Sequence, residues 1–328
     1  MTNTMKRAYF LIVGILLVSM SLTAQTVHVK LKPDASYNHP QVVATMENNL
    51  SRVLTEINSA QREGRPLNLN SMPMNDFAKN GLRMLWANIY FYCDDEYVVD
   101  RLWNFTNGFM ARSIPVIITP EGEDFGSGFF QEAVVEFDRN GTITDFRFAM
   151  DAAVGESMEQ GGDAVDLERR MQILAYCDRF RTAYNTKDIG FLEQVFSDDA
   201  LIITGKVVTA RQGDLAPRPT VTYKKYDKTQ YLNNLRRAFA RNKWIEVKFS
   251  QIGEHGDGER AVTRSTENPN IYGVRLHQEW NSSTYSDKGY VFLLWDFTDE
   301  EHPVIHVRTW QPEMTPLDEI FTSDDFIR

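Results

Sequence analysis

Only two cysteines occur in 328 residues, Cys93 and Cys177. So sparse a set excludes a disulfide-rich scaffold and any zinc centre built on cysteine pairs. Local signatures of common chemistries are missing as well: there is no His-Glu-x-x-His for zinc, no Gly-x-Ser-x-Gly elbow and no Gly-x-x-x-x-Gly-Lys phosphate loop. Gly122, Gly126 and Gly128 have the wrong spacing for a dinucleotide fingerprint and precede a strand-like run, so they read as a loop. No cofactor and no metal is called for. Positive charge is in deficit, with 35 Lys and Arg against 45 Asp and Glu, and a general nucleic-acid binder needs the opposite balance. Long apolar runs are lacking too: the longest, Ala8 to Met20, falls short of the ~20 residues that span a membrane.

That run follows Lys6-Arg7 and ends in Ser21-Leu22-Thr23-Ala24 before Gln25, the arrangement of a cleavable secretory signal over residues 1–24. The Leu-Thr-Ala-Gln ending resembles export signals of the Bacteroides group, and no cysteine follows to carry a lipid. A periplasmic or secreted product with no membrane span after cleavage is expected. Losing Lys6 and Arg7 takes the formal net charge from −10 to −12. An oxidising compartment makes a Cys93 to Cys177 disulfide one reading. The other is two core thiols in separate domains: Cys93 extends the apolar helical stripe Leu82, Leu85, Trp86, Ile89, and Cys177 lies on the stripe Ile173, Phe180, Tyr184.

The remaining chain is long enough for two domains. Val43, Met46, Leu50, Val53, Leu54 and Ile57 predict an amphipathic helix over 40–62, closed by Gly64-Arg65-Pro66. A second helix is predicted from about Met74 to Cys93, a strand interrupted by Pro115 over Ser113–Thr119, and a hairpin turning at Asp138-Arg139-Asn140-Gly141. Helices followed by antiparallel strands make residues 40–152 an α+β domain. A linker over 153–165, holding Gly161-Gly162, separates it from a second domain over 166–315, and an acidic tail over 316–328 reads as loosely held.

The second domain opens with the most informative stretch. Ile173, Cys177, Phe180 and Tyr184 recur at helical spacing, Asn185 to Asp188 breaks the pattern, and Ile189, Leu192 and Phe196 form another short stripe. A β-rich run, Ala200 to Val208, follows. A further helix is expected from about Gln230 to Arg241, capped by Thr229, and strands at Ile245–Ile252, Gly273–Asn281, Tyr290–Phe297 and Val304–Gln311. This order resembles the nuclear transport factor 2-like domains, which include SnoaL-like members. The resemblance implies a cone of three helices on a curved, mostly antiparallel sheet, and it leaves the N-terminal domain open to being a diverged second cone. That scaffold hosts dehydratases, isomerases, epoxide hydrolases and polyketide cyclases as well as non-catalytic association modules, so it does not by itself give a function.

Strand pairing allows a sharper expectation. With Trp280 opposite Tyr290 and Phe297 opposite Val304, one face carries Val274, Leu276, Gln278, Trp280, Tyr290, Phe292, Leu294, Asp296, Ile305, Val307 and Thr309, and packs on the helices. Asp296 with Gln278 and Tyr290 is then the candidate catalytic group, a desolvated acid beside hydrogen-bonding partners. The bland alternative has Asp296 at a strand end, bound to solvent or a backbone N–H. The other face carries Arg275, His277, Glu279, Leu293, Trp295, His306, Arg308 and Trp310, a mixture of charge and aromatics suited to contact with the N-terminal domain or a second copy. A solvated sheet face is the other reading of it. His277 and His306 lie about 12 Å apart in this register, too far to share a metal. The basic island Lys224, Lys225, Lys228, Arg236, Arg237, Arg241 and Lys243 reads either as a solvated helix face or as an anion site.

These features lead to an exported, two-domain, non-catalytic binding or assembly protein. It would meet a protein partner or itself, and has room for a small apolar ligand. A small-molecule lyase, isomerase or hydrolase working inside the cone is the alternative, and glycan recognition by exposed aromatics a third reading.

Overall fold

The computed structural model describes residues 26–33, 37–105, 107–119, 128–150, 165, 167–209, 219–252, 261–300 and 302–326. The signal segment, most of the 153–165 linker and Gly122 and Gly126 of the glycine loop lie outside the described residues. Among the described residues the architecture is α+β, with two sheets and five α-helices. Among the described residues, no helix is long and apolar enough to cross a membrane.

The first sheet runs β1 (His28–Pro33), β3 (Tyr97–Phe105), β4 (Gly108–Thr119), β5 (Phe129–Phe137), β6 (Ile143–Phe148), with β2 (Tyr90–Tyr92) also on β4. Helix α1 (Pro40–Glu63) starts with proline in its first turn and stops at Gly64, whose φ of 60° is left-handed. Its expected apolar stripe is buried. The same helix shields an edge strand: the N–H groups of Val27, Val29 and Leu31 donate to Thr55 Oγ1, Ser51 Oγ and Glu47 Oε1 at 3.1, 3.1 and 3.0 Å. Two strand residues advance ~6.8 Å and four helical residues ~6 Å, so the two ladders stay in step over three rungs. The 138–141 hairpin is present, with Asp138 Oδ1 accepting from the N–H of Asn140 and Thr142 and Gly141 at φ +86°. Pro115 sits beside an irregularity between Ala111 and Ile114, where β4 departs from regular pairing with β5.

Helix α2 (Asp76–Asn88) ends earlier than expected, because Tyr90–Tyr92 pair with Ile117–Thr119 and so continue as strand β2. Cys93 therefore follows a strand and is not on a helix. It and Cys177 are buried free thiols, and burial pushes Cys93 up to about 12.

The second sheet runs β10 (Val262–Arg264), β11 (Ile271–Ser282), β12 (Ser286–Asp296), β13 (Val304–Pro312), β7 (Phe196–Thr209), β8 (Pro219–Tyr226), with β9 (Ile245–Ser250) also on β11. Helices α3 (Leu167–Asn185), α4 (Ile189–Val195) and α5 (Lys228–Arg241) pack against it. Helix α5 is capped by Asp227 and not Thr229: Gln230 N–H donates to Asp227 Oδ1 at 2.8 Å, and the Gln230 side chain accepts from the Asp227 N–H, a closed capping box.

Two expectations about strand faces are corrected. The β11–β12 turn is tight, with Asn281 opposite Ser286 and Ser282 bonded to Tyr285, so His277 faces Tyr290 and Trp280 faces Asp287. The expected pairing is displaced by three residues, and an odd displacement exchanges the two faces of β12. A second irregularity, between Leu294 and Trp295, sets Ile305 opposite Trp295 and leaves His306 in the bulge. Val291, Leu293 and Trp295 thus pack on the helices, while Phe292 and Leu294 join Val307 on the outer side.

The chain's own tail covers that outer side. Phe321 and Phe326 pack on Phe292, Leu294 and Val307, and the Phe292 and Phe326 rings stack at 5.6 Å. Gln311 fixes the tail at both ends of its amide, donating to Glu319 O at 3.0 Å and accepting from Phe321 N–H at 2.8 Å. A Cβ on Gly273 would lie 2.2 Å from Ser323 Oγ, so glycine is what admits the tail. The tail is packed, contrary to expectation, and it is the tail that lies against Phe292, Leu294 and Val307.

Helix α3 lies between the two sheets and is buried on both sides. Cys177, Phe180 and Tyr184 enter the second core, together with Trp103, Met110 and Val134 from the far side of the first sheet. The other side of the helix is charged. Asp178, fully buried, pairs with Arg112 of β4 and accepts from Met150 N–H at 2.7 Å. Arg181 donates to Phe148 O at 2.8 Å. Arg179 bonds Glu136 and, at 2.8 Å, Asp145, and Arg147 bonds the same two carboxylates at 2.8 and 2.5 Å. Burial opposes the charge on Asp145, yet Arg147 and Arg179 outweigh it and hold the carboxyl below its ordinary value.

Removing one member of a buried pair strands the other. Asp178→Asn is expected to cost about 3 kcal/mol or more in urea unfolding, with Arg112 left uncompensated. A loss under about 1 kcal/mol would put the pair on a level with an exposed bridge and contradict this role.

Candidate functional site

Strand alternation brings Gln278 and Trp280 of β11, Asp287 of β12 and Arg308 and Trp310 of β13 to the inner face of the second sheet. Tyr184 of α3 and Tyr231 of α5 meet them from the helical side. Glycine at 289 is required in this row, because a Cβ there would lie 2.1 Å from Gln311 O and 3.1 Å from the Trp310 ring.

Arg308 is the centre of the cluster. It is 4% exposed, donates through Nη2 to Gln278 Oε1 at 3.2 Å, and lies 5.4 Å from the Tyr231 ring and 6.0 Å from the Tyr184 ring. The two phenol oxygens share a hydrogen bond of 2.7 Å. Burial keeps the Tyr184 phenol well above its ordinary value, so it stays neutral and serves as a hydrogen-bonding group. Asp287 accepts from Tyr285 OH at 2.9 Å, but burial raises its carboxyl above the ordinary value despite that bond and the charge of Arg308. Three buried polar atoms here have no partner among the described residues: Arg308 Nε, Trp310 Nε1 and Asp287 Oδ1. Below them Phe180, Phe249 and Trp295 fill the interior, with Phe180 and Phe249 stacked at 6.3 Å.

The candidate catalytic trio is not assembled. Gln278 is inside, bonded to Arg308. Tyr290 is outside, edge-on to His277 at 5.6 Å. Asp296 accepts from Thr298 N–H at 2.7 Å and from His306 Nε2 at 3.1 Å. Burial works against its charge, but these two partners hold its carboxyl below the ordinary value, away from that of a base poised near neutrality. His306 lies 3.4 Å from Asp199 on its other nitrogen, so it ties β13 to β12 and β7.

The seven contact residues are divided in the same way. Arg275, His277 and Glu279 lie outside: Arg275 donates to Leu317 O at 3.2 Å, His277 is 3.4 Å from Glu313, and Glu279 pairs with Lys288 at 2.8 Å. Trp295, Arg308 and Trp310 lie inside, and His306 occupies the bulge. Among the described residues, no group of three His, Cys, Asp or Glu side chains is placed to hold a metal. In the basic island, Lys228 pairs with Asp198 and Arg236 with Glu193. Sequence reading missed Tyr184, Tyr231 and Asp287 as site residues. The available signal was the alternation of Arg308 and Trp310, whose face relative to β11 depends on the length of the β11–β12 turn.

Asp287 carries a cost that the fold does not require. Its charged form is disfavoured by burial, so the penalty acts at neutral pH and fades below the ordinary carboxylate range, where folded and unfolded chains both hold the proton. Asp287→Asn is therefore expected to raise the urea midpoint at about pH 7 and to leave it unchanged near pH 3. A lowered midpoint at neutral pH, or an equal change at both values, would contradict the assignment.

No family model matches the chain, and no curated protein does. Solved structures similar to it include a protein described as Rd1NTF2_04 with long sheet, at 13% identity over 42% of this chain and 97% of that one, TM-score 0.27. Another is an NTF2-like protein from Cytophaga hutchinsonii, at 14% identity over 44% of this chain and 98% of that one, TM-score 0.29. A conserved protein from Planctomyces limnophilus shares 12% identity over 44% of this chain and 97% of its own, TM-score 0.31. Two of these three carry NTF2 in their descriptions, and at these identities and scores they do not decide what this chain does.

Proposed function

We propose that this is an exported, non-catalytic binding protein whose C-terminal domain, a nuclear transport factor 2-like cone, takes a small, largely apolar ligand against Arg308, Trp310 and Asp287. One observation carries the reading: Arg308 Nε, Trp310 Nε1 and Asp287 Oδ1 are buried without partners in one cluster. Each such group costs roughly 1–3 kcal/mol when left unmet, and a ligand supplying an acceptor to the two N–H groups recovers part of that cost. Trp280 and Trp310 provide apolar surface beside them. Export is supported by the basic, apolar and small-residue order of residues 6–24.

The second reading is a lyase, isomerase or hydrolase acting in the same place. The raised carboxyl of Asp287 favours it, since an acid shifted toward neutrality is a candidate base. Binding is preferred because no second acid or histidine accompanies Asp287 in the cluster among the described residues.

The test is titration of the exported protein with a panel of small apolar carboxylic acids and carboxamides, followed by tryptophan fluorescence, with each mixture checked by NMR for chemical change. Saturable binding of unchanged ligand, weakened about tenfold or more by Arg308→Gln, is expected. Binding by no member, or equal binding by the variant, would overturn the site. Conversion of a ligand would transfer it to the enzymatic reading, and retention of the chain in the cytoplasm on fractionation would overturn export.

A further inference from the structure

A second cleft lies between the first sheet's layer and the helices of the second domain. It is lined by Phe77 and Gly81 of α2, Phe146 and Arg147 of β6, Thr182 of α3 and Phe191 just inside α4, and its volume is ≈ 130 Å³. That is close to the ~150 Å³ of an apolar cavity that admits benzene, so the cleft suits a single ring. Its apolar part, Phe77, Phe146 and Phe191 with Gly81, leaves space: Phe77 is 55% exposed, and a Cβ on Gly81 would meet no atom within 4 Å.

The polar lining specifies more. Arg147 is 1% exposed, and its Nε has no hydrogen-bond partner although both terminal nitrogens are bonded to carboxylates. Thr182 Oγ1 is likewise buried and unpartnered. An arginine Nε only donates, so the group it lacks is an acceptor. A charged acceptor is disfavoured. The guanidinium groups of Arg147 and Arg179 are matched by Asp145 and Glu136, and Asp188 adds a further carboxylate to the lining.

We propose that this cleft binds a neutral single-ring compound bearing a carbonyl oxygen. The ring lies between Phe77 and Phe191, and the oxygen accepts from Arg147 Nε and the Thr182 hydroxyl. Because α2 and β6 belong to one layer and α3 and α4 to the other, the ligand bridges them. This site shares no residue with the Arg308 cluster, so either stands if the other fails.

The test uses the full chain with acetophenone as probe and toluene as the ring without an acceptor, followed by saturation-transfer NMR. Saturable acetophenone binding tighter than that of toluene is expected. Thr182→Val should weaken it about fivefold, the loss of one neutral hydrogen bond. Gly81→Leu should abolish it by filling the cleft, with the thermal midpoint kept or raised because leucine is the better helix former. Absence of acetophenone binding at millimolar concentration, equal binding of toluene, or undiminished binding by both variants would overturn the proposal.

Discussion

The structure depends on a helix that is buried on both sides with charges on one of them. Asp178 has no access to solvent, and its two oxygens are taken by Arg112 and the Met150 N–H. Taking such ions out of water is expensive, and the geometry must return what desolvation removes. Here it does so by pairing carboxylates with arginines: Asp178 with Arg112, and Asp145 and Glu136 with Arg147 and Arg179. Arg181 instead donates to a carbonyl, Phe148 O, and burial pulls it down to about 10. The arrangement has a directional consequence that apolar packing lacks: α3 can seat on the first sheet in one register only.

That register sets both the Arg308 cluster and the cleft. Tyr184 and Thr182 are two residues apart on α3 and point to opposite sides of it. Tyr184 joins Tyr231 and Arg308 inside the second sheet, and Thr182 lines the cleft with Arg147 and Phe77. A slip of one residue on the first sheet would leave Asp178 unpaired and rotate both side chains out of place by about 100°. The outer surface of the second sheet, by contrast, is closed by the chain's own tail, with Gly273 and Gln311 as its fixed points.

Much of the local structure was legible in the sequence. Helix α1, the Asp138–Gly141 turn and the succession of α3, α4 and β7 follow from periodicity, proline and glycine, which act within a few residues. The site was legible only in part. Gln278 is on the inner face as expected, but Arg308 and Trp310 were placed outside and Asp296 inside. The cause is a three-residue difference in one hairpin, which does not change the hydrophobic pattern locally. Strand β8 was hidden because its exposed residues Thr222, Lys224 and Lys225 read as a polar loop. The interface charges of α3 were hidden for a related reason: Asp178, Arg179 and Arg181 have the composition of a solvated face, and only the first sheet's Arg112, Asp145 and Glu136, remote in sequence, reveal otherwise.

Amide hydrogen exchange along α3 tests this dependence most directly. Held from both sides, its amides from Leu174 to Ala183 should be among the slowest in the chain and should exchange only through unfolding of both sheets together. Exchange of these amides in step with one sheet while the other stays protected would show that the charged interface opens independently, and would contradict the account.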